Sequence, residues 1–189
     1  MVRADDCGRG GDKRSASRLT EIGFEFTTPG RARRRAKDVH VAPDTRVATR
    51  IQRVETSIGP LPLSIRAFYE IVGSVDLIGR HPSLAPQPGS VAPDPLMVIG
   101  LDEAASDEEE GALILAPDDL HKSDISGGDP CEIAAPDAAA DARVLNQRHD
   151  LLFVDYLRLC FRFGGFPGYE GPIEIPPEID RLRSGLIEF

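Results

Sequence analysis

The chain has 189 residues, of which 41% are hydrophobic, enough for one ordinary core. No stretch approaches the ~20 consecutive apolar residues of a membrane span, and the first residues hold no apolar segment typical of a signal peptide. We therefore expect a single domain in the cytoplasm. The three cysteines, Cys7, Cys131 and Cys160, lie far apart, which predicts neither a disulfide framework nor a zinc pair. No motif predicts a cofactor.

The formal net charge of -9 is distributed unevenly along the chain. Residues 1–53 hold 13 Lys or Arg against 7 Asp or Glu, whereas residues 54–189 hold 9 against 24. A domain with this acidic excess repels nucleic acid and anionic membranes and attracts basic proteins. We therefore expect a basic protein partner for the folded domain, and neither nucleic acid nor a membrane.

Residues 1–44 mix Gly, Arg, Ser and Asp without periodicity, apart from an apolar patch at Ile22, Phe24 and Phe26. We interpret this segment as a disordered basic leader, followed by a folded domain at residues 45–189. Its basic run at residues 31–37 is typical of a solvated tail, and the same composition also occurs in segments that contact nucleic acid.

Helical periodicity begins at residues 44–45 and continues to residue 58, where apolar residues recur at spacings typical of one helix face. Gly59 and Pro60 interrupt it, and a second helix is predicted over residues 61–72, with Gly73 after its end. Two short helices should therefore meet at a tight corner.

Brief apolar runs between turn residues predict strands at 75–78, 96–99, 113–116 and 131–135. A weaker candidate lies at 143–145. The clearest amphipathic stripe, residues 152–163, predicts a long C-terminal helix, and a short last helix follows at 178–184. This order predicts an α+β fold in a single domain with a central mixed or antiparallel sheet, two N-terminal helices and a long C-terminal helix.

The helix corner resembles the N-terminal signature of the SUKH superfamily. The residues that carry the resemblance are Glu55, Gly59, Leu61, Pro62, Ile65, Phe68, Tyr69 and Gly73. Residues 153–157 are similar to the last helix of that family, whereas the turn at 126–130 and the stretch 164–168 more closely resemble an uncharacterised bacterial family with the same Leu-Pro corner. The resemblance implies a non-catalytic protein-binding domain. Many bacterial members are immunity proteins that neutralise secreted toxins, often nucleases.

Two groups of residues are candidates for partner contacts. The acidic run at 102–110 ends in Glu108, Glu109 and Glu110, which could occupy the phosphate-binding surface of a basic nuclease. The glycine-rich loop after the long helix could present Phe166 and Tyr169 to a partner. In the alternative interpretation, Phe166 packs into the core as the chain reverses.

A catalytic alternative rests on His121 and the turn from Ser126 to Asp129, which could serve a small hydrolase or transferase. It predicts that His121, Asp124 and Asp129 converge in one pocket. The histidines lack the spacing of a metal site on one element, so no metal is predicted. A third alternative is a structural or regulatory interaction protein with a self-pairing surface.

Overall fold

The computed structural model describes residues 16–28, 32–84, 93–105, 111–125, 127–184 and 186. Helices and strands occur together in these ranges, which confirms the predicted α+β mixture. None of the helices in these ranges is both long and apolar enough to cross a membrane.

The described residues contain six α-helical segments. They are α1 (residues 16–21), α2 (Val47–Ile58), α3 (Leu63–Ile71), α4 (Leu101–Ala104), α5 (Phe153–Arg162) and α6 (Pro177–Arg183). Helices α2, α3 and α5 are amphipathic and bury the apolar face that periodicity predicts; for example, α2 buries Ile51 and Val54. Helix α5 is followed by Gly164 and Gly165, whose positive φ angles turn the chain back toward the core.

The seven described strands are short. They are β1 (Glu25–Phe26), β2 (His40–Val41), β3 (Ser74–Asp76), β4 (Gly79–Arg80), β5 (Met97–Val98), β6 (Ala112–Ala116) and β7 (Cys131–Ala134). The pairings of the described strands are all antiparallel and form three sheets, β1–β4, β2–β3–β5 and β6–β7. The Ile99 N–H donates to the Leu115 carbonyl and so joins the second sheet to the third. The predicted 143–145 strand is present as isolated bridges from Arg143 and Leu145.

The predicted leader is wrong for residues 16–28 and 32–44, because these residues belong to the fold. Leu19 is 0% exposed, and Phe24, Phe26 and Val39 are also buried in the main core cluster. Strands β1 and β2 pair with β4 and β3, which lie in the domain that the leader was expected to precede. Residues 1–15 and 29–31 lie outside the described residues. The domain therefore begins well before residue 45.

Arg34 belongs to the basic run that was predicted to lie in the leader, but in the structure it joins segments of the fold. Its guanidinium donates to the backbone carbonyls of Thr27, Asp76 and Ile78, and it forms an ion pair of 2.6 Å with the Asp76 carboxylate. Its side chain is only 16% exposed. A guanidinium with five fixed donors suits this role of joining separate segments through their carbonyls.

The corner between α2 and α3 is held by the loop that follows β7. Gly59 has a φ of 93°, and a Cβ there would lie 2.4 Å from the Cβ of Pro136, so only glycine fits. The first two N–H groups of α3 donate to the carbonyls of Ala139 and Ala140, which satisfies donors that a helix start leaves open. Glu55 on α2 pairs with Arg66 on α3 at 3.1 Å.

Candidate functional site

The predicted acidic contacts Glu108, Glu109 and Glu110 lie outside the described residues. The run does begin inside them, in α4, where Asp102 pairs with Arg53 and, at 3.5 Å, with Arg50 of α2. The first part of the acidic run therefore binds the α2 helix of its own chain.

Phe166 and Tyr169 are not presented to a partner. Phe166 is 1% exposed and its ring centroid lies 5.6 Å from that of Phe24, so it packs in the core against the N-terminal segment. Tyr169 is 8% exposed, and burial raises the pKa of its phenol to about 12. The physical reason is the left-handed pair Gly164 and Gly165, which directs the aromatic loop inward.

The segment 118–125 forms a turn built around Asp118. The buried Asp118 carboxylate accepts the N–H groups of Leu120 and His121, and its second oxygen lies 2.5 Å from His121 Nδ1. Burial opposes ionisation, but the His121 ring and the two N–H groups outweigh it and lower the pKa of Asp118. The His121 side chain is 54% exposed. A buried carboxylate thus orients a half-exposed imidazole.

The prediction that His121, Asp124 and Asp129 converge in one pocket is wrong. His121 pairs with Asp118, Asp124 adopts a left-handed φ of 61° at the end of the turn, and Asp129 is exposed. Ser126 lies outside the described residues. Sequence reasoning missed Asp118, although an Asp side chain commonly accepts the backbone N–H groups that follow it closely in a turn.

Lys122 points into the protein and forms a buried ion pair with Asp94. Its Nζ lies 2.6 Å from Asp94 Oδ1, and the two side chains are 1% and 4% exposed. Burial by itself lowers the pKa of Lys122, but the Asp94 carboxylate outweighs it and the pKa is raised. The pair fixes the segment 93–96 to the turn at 118–125. It could not be predicted from spacing, because the partners are 28 residues apart.

His149 forms a third pair in the same region. Its Nδ1 lies 2.7 Å from a Glu170 carboxylate oxygen, and its Nε2 accepts a hydrogen bond of 3.2 Å from Arg148 Nε. Burial and the adjacent Arg148 charge lower the pKa of His149, although Glu170 opposes the shift. Both ring nitrogens are therefore used within the chain, which favours the neutral imidazole.

We call Asp94, Asp118, His121, Lys122, His149 and Glu170 the polar loop cluster. Two free thiols and a phenol lie near its charges. Burial raises the pKa of Cys131 to about 11, and it also raises the pKa values of Cys160 and Tyr156. A thiol with a raised pKa is a poor nucleophile near neutral pH, because the thiolate is the reactive form.

A cavity of about 220 Å³ lies beside this cluster. Phe24 and Phe166 contribute apolar wall, and its described basic residues are Arg80, His81 and Lys122. Each of these three has a partner in the chain: Arg80 binds Glu25 at 3.0 Å, His81 Nε2 lies 2.9 Å from the Ile22 carbonyl oxygen, and Lys122 binds Asp94. These basic side chains along the cavity thus make contacts within the chain.

Among the described residues, no group of three or more His, Cys, Asp or Glu side chains could hold a metal ion. Comparison with known proteins finds no matching family model, no matching curated protein and no matching solved structure. The functional conclusion therefore rests on the chemistry of the residues themselves.

Proposed function

We propose that this chain is a non-catalytic protein-binding domain. The observation that carries the proposal is the pairing within the polar loop cluster, because its acids and bases stabilise contacts of the chain with itself. Lys122 binds Asp94, and His149 binds Glu170 and Arg148. The pKa values of the Cys131 and Cys160 thiols are raised. A catalytic site requires groups that converge on a substrate instead.

The resemblance to SUKH domains supports the same class of function. The order on which it rests is helix, glycine, Leu-Pro pair, helix, glycine and strand, and this order is present from α2 through Gly73 to β3. The domain would then act as an immunity protein in the cytoplasm that sequesters a secreted toxin. The acidic balance of residues 54–189 favours a basic partner such as a nuclease.

Glu108, Glu109 and Glu110 are the proposed contacts for this partner. Carboxylates at adjacent positions offer negative charge where a nuclease binds phosphates, and steering by such charges weakens as salt screens them. Asp129 and Glu174 offer a matched comparison, because they are acids outside the run and are exposed in the described structure.

The test is capture of a partner by the full chain, followed by affinity measurements with purified protein. The partner should bind more weakly in about 300 mM than in about 50 mM salt. Glu109→Lys/Glu110→Lys should weaken binding at least about tenfold, whereas Asp129→Lys/Glu174→Lys changes the net charge equally and should retain most of the affinity. Equal losses in the two variants would show that only net charge matters and would contradict the proposed contact site.

One observation favours a second function, acid–base catalysis at His121. A buried carboxylate that orients a half-exposed imidazole through Nδ1 is the geometry of a general base, with Nε2 available to a substrate. In this case His121→Asn would abolish turnover of a hydrolase or transferase substrate while the fold and partner binding remain intact. Unchanged turnover in that variant would exclude the dyad as the catalytic group.

A further inference from the structure

The solvent face of α3 is apolar, although the rest of the chain is acidic. Leu63 and Ile71 are 63% and 57% exposed, and the exposed Ala67 lies midway between them. Residues four apart on a helix share one side, so these three form one stripe about 12 Å long. We call Leu63, Ala67 and Ile71 the α3 stripe. Two large exposed aliphatic side chains on one short helix indicate a surface that pairs with another protein surface.

The surroundings of the stripe differ at its two ends. Val41, which is 61% exposed, belongs to β2 beside the C-terminal end: it pairs with Ser74, and its carbonyl packs against Gly73. At the N-terminal end, the exposed small residues Ala139 and Ala140 accept the first N–H groups of α3. A large apolar residue therefore lies at one end and small ones at the other.

We propose that the α3 stripe pairs with the α3 stripe of a second copy of this chain. An antiparallel two-fold arrangement through Ala67 sets Leu63 of one copy against Ile71 of the other, with the two alanines at the centre where the helices approach closely. It also brings the end of α3 that adjoins Val41 to the end that adjoins residues 139–140 of the second copy. The same patch thus supplies both halves of the contact, as a two-fold interface requires.

The charges beside the stripe fit a second copy better than a basic partner. Arg66 pairs with Glu70, one helical turn away, at 3.1 Å and also with Glu55 of α2, and the side chains of Arg66 and Glu70 are each 38% exposed. The two-fold arrangement brings Arg66 of each copy near Glu70 of the other and so places opposite charges across the contact. Arg66 offsets one of the two carboxylates, so this face is less acidic than a chain of net charge -9 as a whole, and two copies can approach there.

Addition of a strand from another chain at the nearby edge strand β2 explains the exposed apolar face of α3 less well. Strand β2 is the edge of its sheet, but it has only two residues and Pro43 follows closely. Short edge strands beside a proline are poor templates for another strand. A helix packed along the stripe needs no open strand edge, and α3 itself provides a helix of matching length and composition.

The two-fold geometry gives a specific test at Ala67, which faces its own counterpart. Sedimentation of the full chain from about 10 µM to about 1 mM should show a reversible dimer, since a patch smaller than a standard interface supports only weak association. Ala67→Glu alone and Ala67→Lys alone should each weaken the dimer at least about tenfold, whereas an equimolar mixture of the two should restore it. Ala48→Glu, the same change on an exposed position of α2, should dimerise like the unaltered chain.

A chain that stays monomeric across this range overturns the inference. So does a dimer that survives Ala67→Glu, which would place the interface on another face, and so does a mixture that fails to restore association. The result is separable from that of the proposed function. Self-association of like-charged chains strengthens as salt rises, whereas capture of a basic partner weakens.

Discussion

The polar loop cluster and the corner formed by α2 and α3 both hold ion pairs, but at different depths. In the cluster, the Asp94–Lys122 pair is buried and joins segments far apart in the sequence. At the corner, Arg66 binds Glu55 and Glu70 at the half-exposed rim, and large apolar side chains face solvent. The ion pairs at both places connect the chain to itself, so we expect a binding surface among the exposed apolar and acidic groups.

The largest expected effect comes from separating the buried ion pair. Asp94→Asn removes the carboxylate but keeps a residue that tolerates the positive φ of 48° at this position. It leaves the Lys122 ammonium buried without its counterion, so the free energy of unfolding should fall by about 3–5 kcal/mol. Urea denaturation at neutral pH measures this.

The double variant Asp94→Asn/Lys122→Met is the control, because it removes both charges. It should recover most of the loss, since two neutral side chains avoid the penalty of an unpaired buried charge. A single variant as stable as the unaltered chain would show that the pair contributes nothing to the fold. The cluster would then be available for another role.

The next effect concerns the N-terminal segment. Leu19→Ala removes a fully buried side chain and should lower the free energy of unfolding by about 2–5 kcal/mol. Glu21→Ala changes an exposed residue of the same helix and should alter it by under about 0.5 kcal/mol. Equal denaturation midpoints for the two variants would indicate that residues 16–21 do not pack on the core.

Asp118→Asn should have a smaller, pH-dependent effect. Because the pKa of Asp118 is lowered in the fold, its ionised form contributes stability above the unfolded pKa of ~3.9, and this is lost as pH falls through the folded pKa. The variant should be about 1–2 kcal/mol less stable near neutral pH. The difference in free energy of unfolding between the variant and the unaltered chain should shrink as the pH of the denaturation curves falls below about 4. A deficit that does not change with pH would exclude the carboxylate charge as its cause.

The smallest effect is expected at His149. Its lowered pKa means that below about pH 6.5 the unfolded chain binds a proton that the folded chain does not, so stability falls with acidification. His149→Gln should remove this slope between about pH 7 and pH 5, a difference under about 1.4 kcal/mol. Chemical denaturation across that interval should give a flatter profile for the variant. An equally steep profile would show that His149 contributes no pH dependence, and a steeper one would show that its pKa is raised in the fold.

Helices α2, α3, α5 and α6 and strands β3, β5, β6 and β7 could be predicted because their information is local. Apolar spacing located α2, α3 and α5, and brief apolar runs located β6 and β7. The N-terminal segment could not be assigned in the same way. Its buried residues, Leu19, Phe24 and Phe26, become core only through pairing with β4 and packing against Phe166, which are distant in sequence.

The same distinction applies to the site. The pairing of Asp118 with His121 spans three residues and was within reach of sequence reasoning. The Asp94–Lys122 contact has no local signal, since Asp94 lies outside the helices and strands and Lys122 lies in a three-residue 3-10 helix 28 positions away. The sequence predicted that the aromatic loop contacts a partner, because glycines allow the loop to point either outward or into the core. In the structure Phe166 is buried, so the loop points into the core.

We propose that the polar loop cluster stabilises the fold while a basic partner binds the acidic run at 102–110. The most direct measurement is calorimetric titration of the captured partner into three proteins: the unaltered chain, Glu109→Lys/Glu110→Lys and His121→Asn. We predict that the charge reversal weakens binding at least about tenfold and that His121→Asn leaves the affinity unchanged. Loss of binding in His121→Asn together with full affinity in the charge reversal would contradict the account.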